Sequence, residues 1–176
     1  MKALILNAFD CDHAGIETYD DLIDELKNYA IVIDSIDLSK TDIAVCQHCY
    51  YCWLHSPGLC TIDDHGRTVA SAMMQNDAVI VLTESREGNV SPLVTRAIER
   101  TIPTLKYPGK RPSLIAIGLA DQEDIRSVDK FIEATKRMGV NLHFASYSAD
   151  LVYKDESRQG RRAKIQAAIA DGIPKI

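Results

Sequence analysis

The chain has no surplus of basic residues: 20 lysines and arginines stand against 25 aspartates and glutamates, a formal net charge of −5. A nucleic-acid groove or an anionic membrane surface calls for a basic face, so neither is expected as a partner. Nor is there an apolar run long enough to span a bilayer. Met1 leads straight into KALILNAF, which has neither the length nor the flanks of a signal peptide, and the cytoplasm is the expected location. No repeat, low-complexity tract or linker interrupts the 176 residues. That length suits one core and leaves too little for a second, so a single domain over 1–176 is expected.

What the chain does have is a concentration of sulfur. Four of its five cysteines lie between Val45 and Asp64, a cysteine-rich loop at about 45–64. Cys46, Cys49 and Cys52 stand at C-x2-C-x2-C spacing, and Cys60 follows after seven intervening residues. Sulfurs two residues apart converge only where the backbone curls around a central object. An iron–sulfur cluster held by four thiolates is the usual one. Structural zinc more often takes two separated pairs, but His48, His55 and His65 keep zinc as a minor alternative. Four reduced thiols packed around Trp53 as small hydrophobes are the plain structural reading. The reducing cytoplasm favours metal or redox roles over disulfides, and the odd thiol, Cys11, argues the same way.

Elsewhere the pattern alternates strand and helix. Residues 2–8 form a nearly continuous apolar run, as a strand buried on both faces would. Thr18 with Asp21 resembles a capping box, and Tyr19, Leu22, Ile23 and Leu26 follow with helical spacing. A second strand is expected over 30–36. Asp63 and Asp64 offer N-caps for a helix that turns Val69, Ala72 and Met73 inward and stops near Asn76. After Asp77, a third strand is expected over 78–82. Ser91-Pro92 then opens a helix with an apolar stripe of Leu93, Val94, Ala97 and Ile98. Pro103, Pro108 and Pro112 punctuate the way to a fourth strand over 113–119. Asp121 and Asp124 start a helix that Gly139 should stop, a fifth strand is expected over 141–147, and a last helix over 158–170. The charged stretch from Lys154 to Arg162 reads as a solvated face.

Five strands alternating with five helices call for an α/β three-layer sandwich: a parallel sheet with helices on both faces. The flavodoxin-like order 2-1-3-4-5 is the leading arrangement. Ligands in such sheets bind beyond the carboxyl ends of the strands, where loops 8–17, 83–91 and 119–124 gather and the cysteine loop opens.

On these residues the chain resembles a known family. C-x2-C-x2-C-W, P-G-x-C, an Asp-Asp pair, a strand, a polar loop with a glycine, and S-P-L-x-x-x-A-I-E-R over Ser91–Arg100 are similar to the flavodoxin-like NAD(P)H-dependent FMN reductases. Within that family the iron–sulfur flavoprotein branch is the most similar, over about residues 1–150. The resemblance implies FMN at the strand ends, electron transfer between a reduced donor such as NAD(P)H and a small-molecule or protein acceptor, and a homo-oligomer. It also implies that Cys46, Cys49, Cys52 and Cys60 ligate a 4Fe–4S cluster. The residues expected at an FMN site are Ala8, His13, Gly15 and Thr18 in the first loop, and Thr83, Arg86, Gly88, Asn89 and Ser91 in the loop after the third strand.

Two departures from the family pattern bear on FMN. The first loop carries Asp10, Asp12 and Glu17 where the family places hydroxyls and amides around a phosphate, and carboxylates repel a dianion. The acidic cluster Asp10, Asp12, Glu17, Asp20 and Asp21 has the ligand type of a divalent-metal site, and a solvated helix entry accounts for it more simply. In the second loop, Glu84-Ser85-Arg86-Glu87-Gly88 keeps the family's glycine and loses its proline and aromatic. Arg86 is the candidate to stabilise a reduced, anionic flavin ring; a surface pair with Glu84 or Glu87 is the simpler role. Ser91 is already sufficient as an N-cap, and no general acid or base stands out, since a flavin carries its own redox chemistry. The alternative reading is a non-enzymatic relative with a degenerate flavin pocket and a structural cysteine loop that binds a ligand or partner.

Overall fold

A computed structural model describes residues 1–9, 12–106 and 109–173. Asp10, Cys11 and Pro108, used in the sequence reading, lie outside the described residues. Five strands form one parallel sheet: β1 (Lys2–Ala8), β2 (Val32–Asp37), β3 (Ala78–Glu84), β4 (Ser113–Ala120) and β5 (Tyr147–Tyr153). Their order is β2-β1-β3-β4-β5, as expected. β3 is central and β1 is an inner strand, with Leu4 opposite Asp34 on one side and Val79 on the other. The helices are α1 (His13–Asn28), α2 (Tyr51–Leu54), α3 (His65–Gln75), α4 (Pro92–Glu99), α5 (Ile125–Asn141) and α6 (Arg158–Gly172).

Alternate strand residues feed two separate cores, because successive side chains leave opposite faces of a sheet. Leu4, Leu6, Val79, Val81, Leu114 and Ala116 pack with α3, α4 and Phe131 of α5. Ala3, Ile5, Ile80, Leu82, Ile115 and Ile117 pack with Leu22 and Leu26 of α1 and with Ile165 and Ile169 of α6. Burial on both faces explains why β1, β3 and β4 read as unbroken apolar runs.

Three expectations are corrected. α1 begins at His13, not after Thr18: Asp12 is the N-cap and accepts the Gly15 N–H at 2.8 Å. Thr18 is inside the helix, where its hydroxyl donates to the Ala14 carbonyl at 2.7 Å. α5 passes through Gly139, whose missing side chain makes room for Tyr147: a Cβ there would come 2.7 Å from that ring. The helix ends instead at Asn141 and is closed by His143, in the left-handed region, with His143 N–H bonded to the Val140 carbonyl and Phe144 N–H to that of Gly139. This is a Schellman closure without a glycine. β5 is therefore displaced to Tyr147–Tyr153, where Leu151 and Val152 are the buried residues.

The third correction concerns the start of α6, which is no solvated face. Arg161 is buried between α1 and α6, its Nε 2.7 Å from Asp21 and its Nη1 3.2 Å from Glu17. Arg158 Nε also reaches Asp21, at 2.8 Å, and Arg162 and Gln166 hold Glu25. The acids of α1 thus serve as partners for α6.

Candidate functional site

The cysteine loop is tied shut at its neck. Asp64 caps α3 by accepting the Gly66 N–H, and its other oxygen accepts the Ala44 N–H at 2.8 Å. Arg100, following α4, grips both oxygens of Asp64 at 2.8 Å and also donates to the carbonyls of Ala44 and Ile62 at 3.1 Å. A loop of this length is held by one bidentate ion pair and the backbone groups it reaches. Burial alone would raise the Asp64 carboxyl, but hydrogen bonds from Arg100 and the Ala44 N–H outweigh it and hold the group below its ordinary value.

Inside the neck the chain curls as the spacing requires. His48 and Tyr50 both take positive φ, 48° and 55°, on either side of Cys49. Left-handed backbone at such residues is costly, and it persists where the surroundings fix it. The short helix α2 follows and carries Cys52 and Trp53. Trp53 Nε1 donates to the Ile102 carbonyl at 3.0 Å, which pins the loop to the segment after α4. Arg67 Nε holds the Cys60 carbonyl at 2.8 Å.

Cys46, Cys49, Cys52 and Cys60 are free thiols, and all four line one cavity of about 250 Å³, with Trp53 and Arg100 also in its wall. That volume is several times the ~30 Å³ share of one water. Burial pushes the Cys52 thiol up, and the charge that Cys60, Cys49 and Cys46 would carry pushes it the same way. Four adjacent thiolates are stable only around a cationic centre. A single zinc needs its sulfurs about 2.3 Å from one point. Among the described residues, no three His, Cys, Asp or Glu side chains are arranged to hold one ion. A cluster spreads its ligands over several irons, and the donor set, four thiols around one cavity, fits that chemistry.

The strand-end rim is arranged differently. The Asp12 carboxylate occupies the N-terminus of α1, where an anion would bind. Its bond from Gly15 N–H is the main reason that it stays ionised below the usual range. Lys154, after β5, bridges Asp12 and Asp121 at 3.1 Å each, and these bonds raise its pKa. His13 is 86% exposed and lies 3.7 Å from Glu17. Residues 86–89 form a tight turn with positive φ at Glu87 and Gly88, packed against the start of α5. Thr83 is buried and accepts the Ser91 N–H at 2.9 Å, and Ser91 caps α4. Ala8 is buried at the end of β1, and Arg86 and Asn89 are exposed in the turn. These nine residues lie at or beyond the carboxyl ends of β1 and β3, and the N-terminus of α1 among them is capped by the Asp12 carboxylate. None of the nine lines the cysteine cavity.

Sequence reasoning missed Arg100 and Lys154 as site residues. Arg100 closed a family motif and Lys154 opened a charged run; no local pattern shows which carboxylate either one meets.

Strand order, helices on both faces and a strand-end rim define a flavodoxin-like protein. Solved structures with this fold include an NAD(P)H:quinone oxidoreductase from Methanothermobacter marburgensis, with TM-score 0.71, 10% identity, and 98% of this chain and 95% of that one covered. An FMN-dependent NADH-azoreductase from Bacillus anthracis str. Ames Ancestor, in complex with FMN, has TM-score 0.67 and 10% identity, with 97% of this chain and 98% of that one covered. A flavodoxin from Streptococcus pneumonia TIGR4 has TM-score 0.61, 17% identity and full coverage of both chains, 100% each. No family model matches the chain. No curated protein matches it either. Among the described residues, no helix is long and apolar enough to cross a membrane.

Proposed function

We propose that the chain is a cytoplasmic flavodoxin-like oxidoreductase in which Cys46, Cys49, Cys52 and Cys60 hold a 4Fe–4S cluster that relays single electrons. The observation that carries this reading is the lining of one cavity by all four thiols. When bound, the cluster supplies reversible one-electron chemistry. The chain's own residues orient the four sulfurs, through the left-handed turns at His48 and Tyr50 and the Asp64–Arg100 neck. Trp53 walls the cavity against water. Exposed Val45, Tyr50, Tyr51, Leu54 and Leu59 on the same loop offer an apolar face for a protein redox partner or a second copy of the chain.

FMN as a second centre, with NAD(P)H as donor, is supported by the fold and by the oxidoreductases that share it. A flavin phosphate bound at the N-terminus of α1 would have to displace Asp12 from the Gly15 N–H. That same cap, with the Lys154 bridge, favours a second reading: a relative whose flavin site has closed. Absorbance and metal analysis of protein purified without air separate the readings. Iron and acid-labile sulfide are expected, and their loss in Cys49→Ala/Cys52→Ala. Colourless, iron-free wild-type protein rejects the cluster. A flavin band that survives dialysis supports FMN. No rise in melting temperature with added FMN supports the closed site, since tight binding stabilises by mass action.

A further inference from the structure

Arg100 is about 1% exposed, among the most deeply buried charges in the chain. A guanidinium has five N–H donors. Here Nη1 serves Asp64 Oδ2 and the Ala44 carbonyl, and Nη2 serves Asp64 Oδ1 and the Ile62 carbonyl. The fifth donor, Nε, is buried and has no partner. An unmet buried donor is costly, so a position that keeps one calls for a reason. Arg100 and Cys60 line the same cysteine cavity. Its seat is also specific: Gly66 lies against the guanidinium, and a Cβ there would come 2.7 Å from Cζ.

We propose that Arg100 is the positioning residue of the four-cysteine centre: it fixes the Cys60 sulfur, donates to it through Nε–H, and raises the reduction potential of the bound cluster. This rests on the cluster reading above. Because Asp64 takes both Nη atoms, Nε–H is the donor left over, on a residue that shares the cavity wall with Cys60. Reduction adds negative charge to the cluster, and a fixed donor favours the reduced state in a site of low dielectric.

The test uses cluster-loaded protein purified without air, with iron content and midpoint potential as readouts. Arg100→Met with Asp64→Leu removes the ion pair without leaving a lone buried charge. Because it also opens the neck, it is expected to load less iron, and in the clusters it retains the reduction equilibrium falls about tenfold, a drop of roughly 59 mV for one electron. Asp64→Asn keeps the N-cap and the arginine but unmasks its charge, so its potential should rise. A purely structural role for Arg100 predicts no such opposite shifts. Iron-free wild-type protein overturns both this proposal and the cluster reading. Iron-loaded wild type and variants with one unchanged potential overturn this proposal alone. If the double variant loses its iron, Asp64→Asn decides: a rise sustains the role, and no change or a fall ends it.

Discussion

The ion pair between α1 and α6 gives a sharp test of how this fold is held. Asp21 and Arg161 side chains are 2% and 4% exposed, with N···O 2.7 Å. Asp21→Ala leaves Arg161 in the interface with only the half-exposed Glu17 as partner. Removing one member of a buried pair costs about 3–5 kcal/mol, and the remaining partner places this case near 3. Arg161→Met leaves Asp21 with Arg158, 2.8 Å away but well exposed, so about 2–3 kcal/mol is expected. The double variant Asp21→Leu/Arg161→Met puts apolar groups of similar size beside Leu22 and Ile165 of the same core, and should lie within about 1 kcal/mol of wild type. Urea unfolding measures all three. With a slope near 2 kcal/mol/M, a 3 kcal/mol loss moves the midpoint by roughly 1.5 M. Single variants that each cost under about 0.5 kcal/mol, with additive effects in the double, would refute a desolvated pair and restore the solvated-face reading of residues 154–162.

Acid should weaken the same interface. Burial pushes the Asp21 and Glu25 carboxyls up, but hydrogen bonds and charge from Arg158 and Arg161, and from Gln166 and Arg162, outweigh it and hold both below their ordinary values. A lowered folded-state pKa contributes stability that is complete above the unfolded value, near pH 4, and lost as pH falls through the folded one. Urea midpoints measured from pH 5 downward should therefore fall more steeply for wild type than for the Asp21→Leu/Arg161→Met variant; parallel curves would contradict this. At the rim, Gly88→Ala combines a φ of +76° with a Cβ about 2.5 Å from the Ser127 carbonyl oxygen, so a loss of roughly 1–3 kcal/mol is expected in thermal unfolding. In contrast, Ala30→Gly, at the left-handed position that closes α1, should stabilise by up to about 1 kcal/mol.

The sequence by itself determined the architecture. Apolar runs at β1, β3 and β4, the Ser91-Pro92 start of α4 and the Asp64 cap of α3 are local signals, and local signals survive folding unchanged. The sulfur spacing placed four thiols in one loop; the structure puts all four in the wall of one cavity, while among the described residues no three His, Cys, Asp or Glu side chains are arranged around one ion. Where two local solutions competed, the pattern failed: Thr18 could cap or bond backward, and Gly139 could end a helix or make room for Tyr147. Only the tertiary structure decided which carboxylate each cation meets. Arg100 and Asp64 are far apart in sequence, as are Arg161 and Asp21, and their pairing follows from which helices the sheet brings together. Long-range electrostatics leaves no periodicity in the chain, so the neck of the cysteine loop and the Asp12–Lys154 bridge at the rim became visible only once the strands were in place.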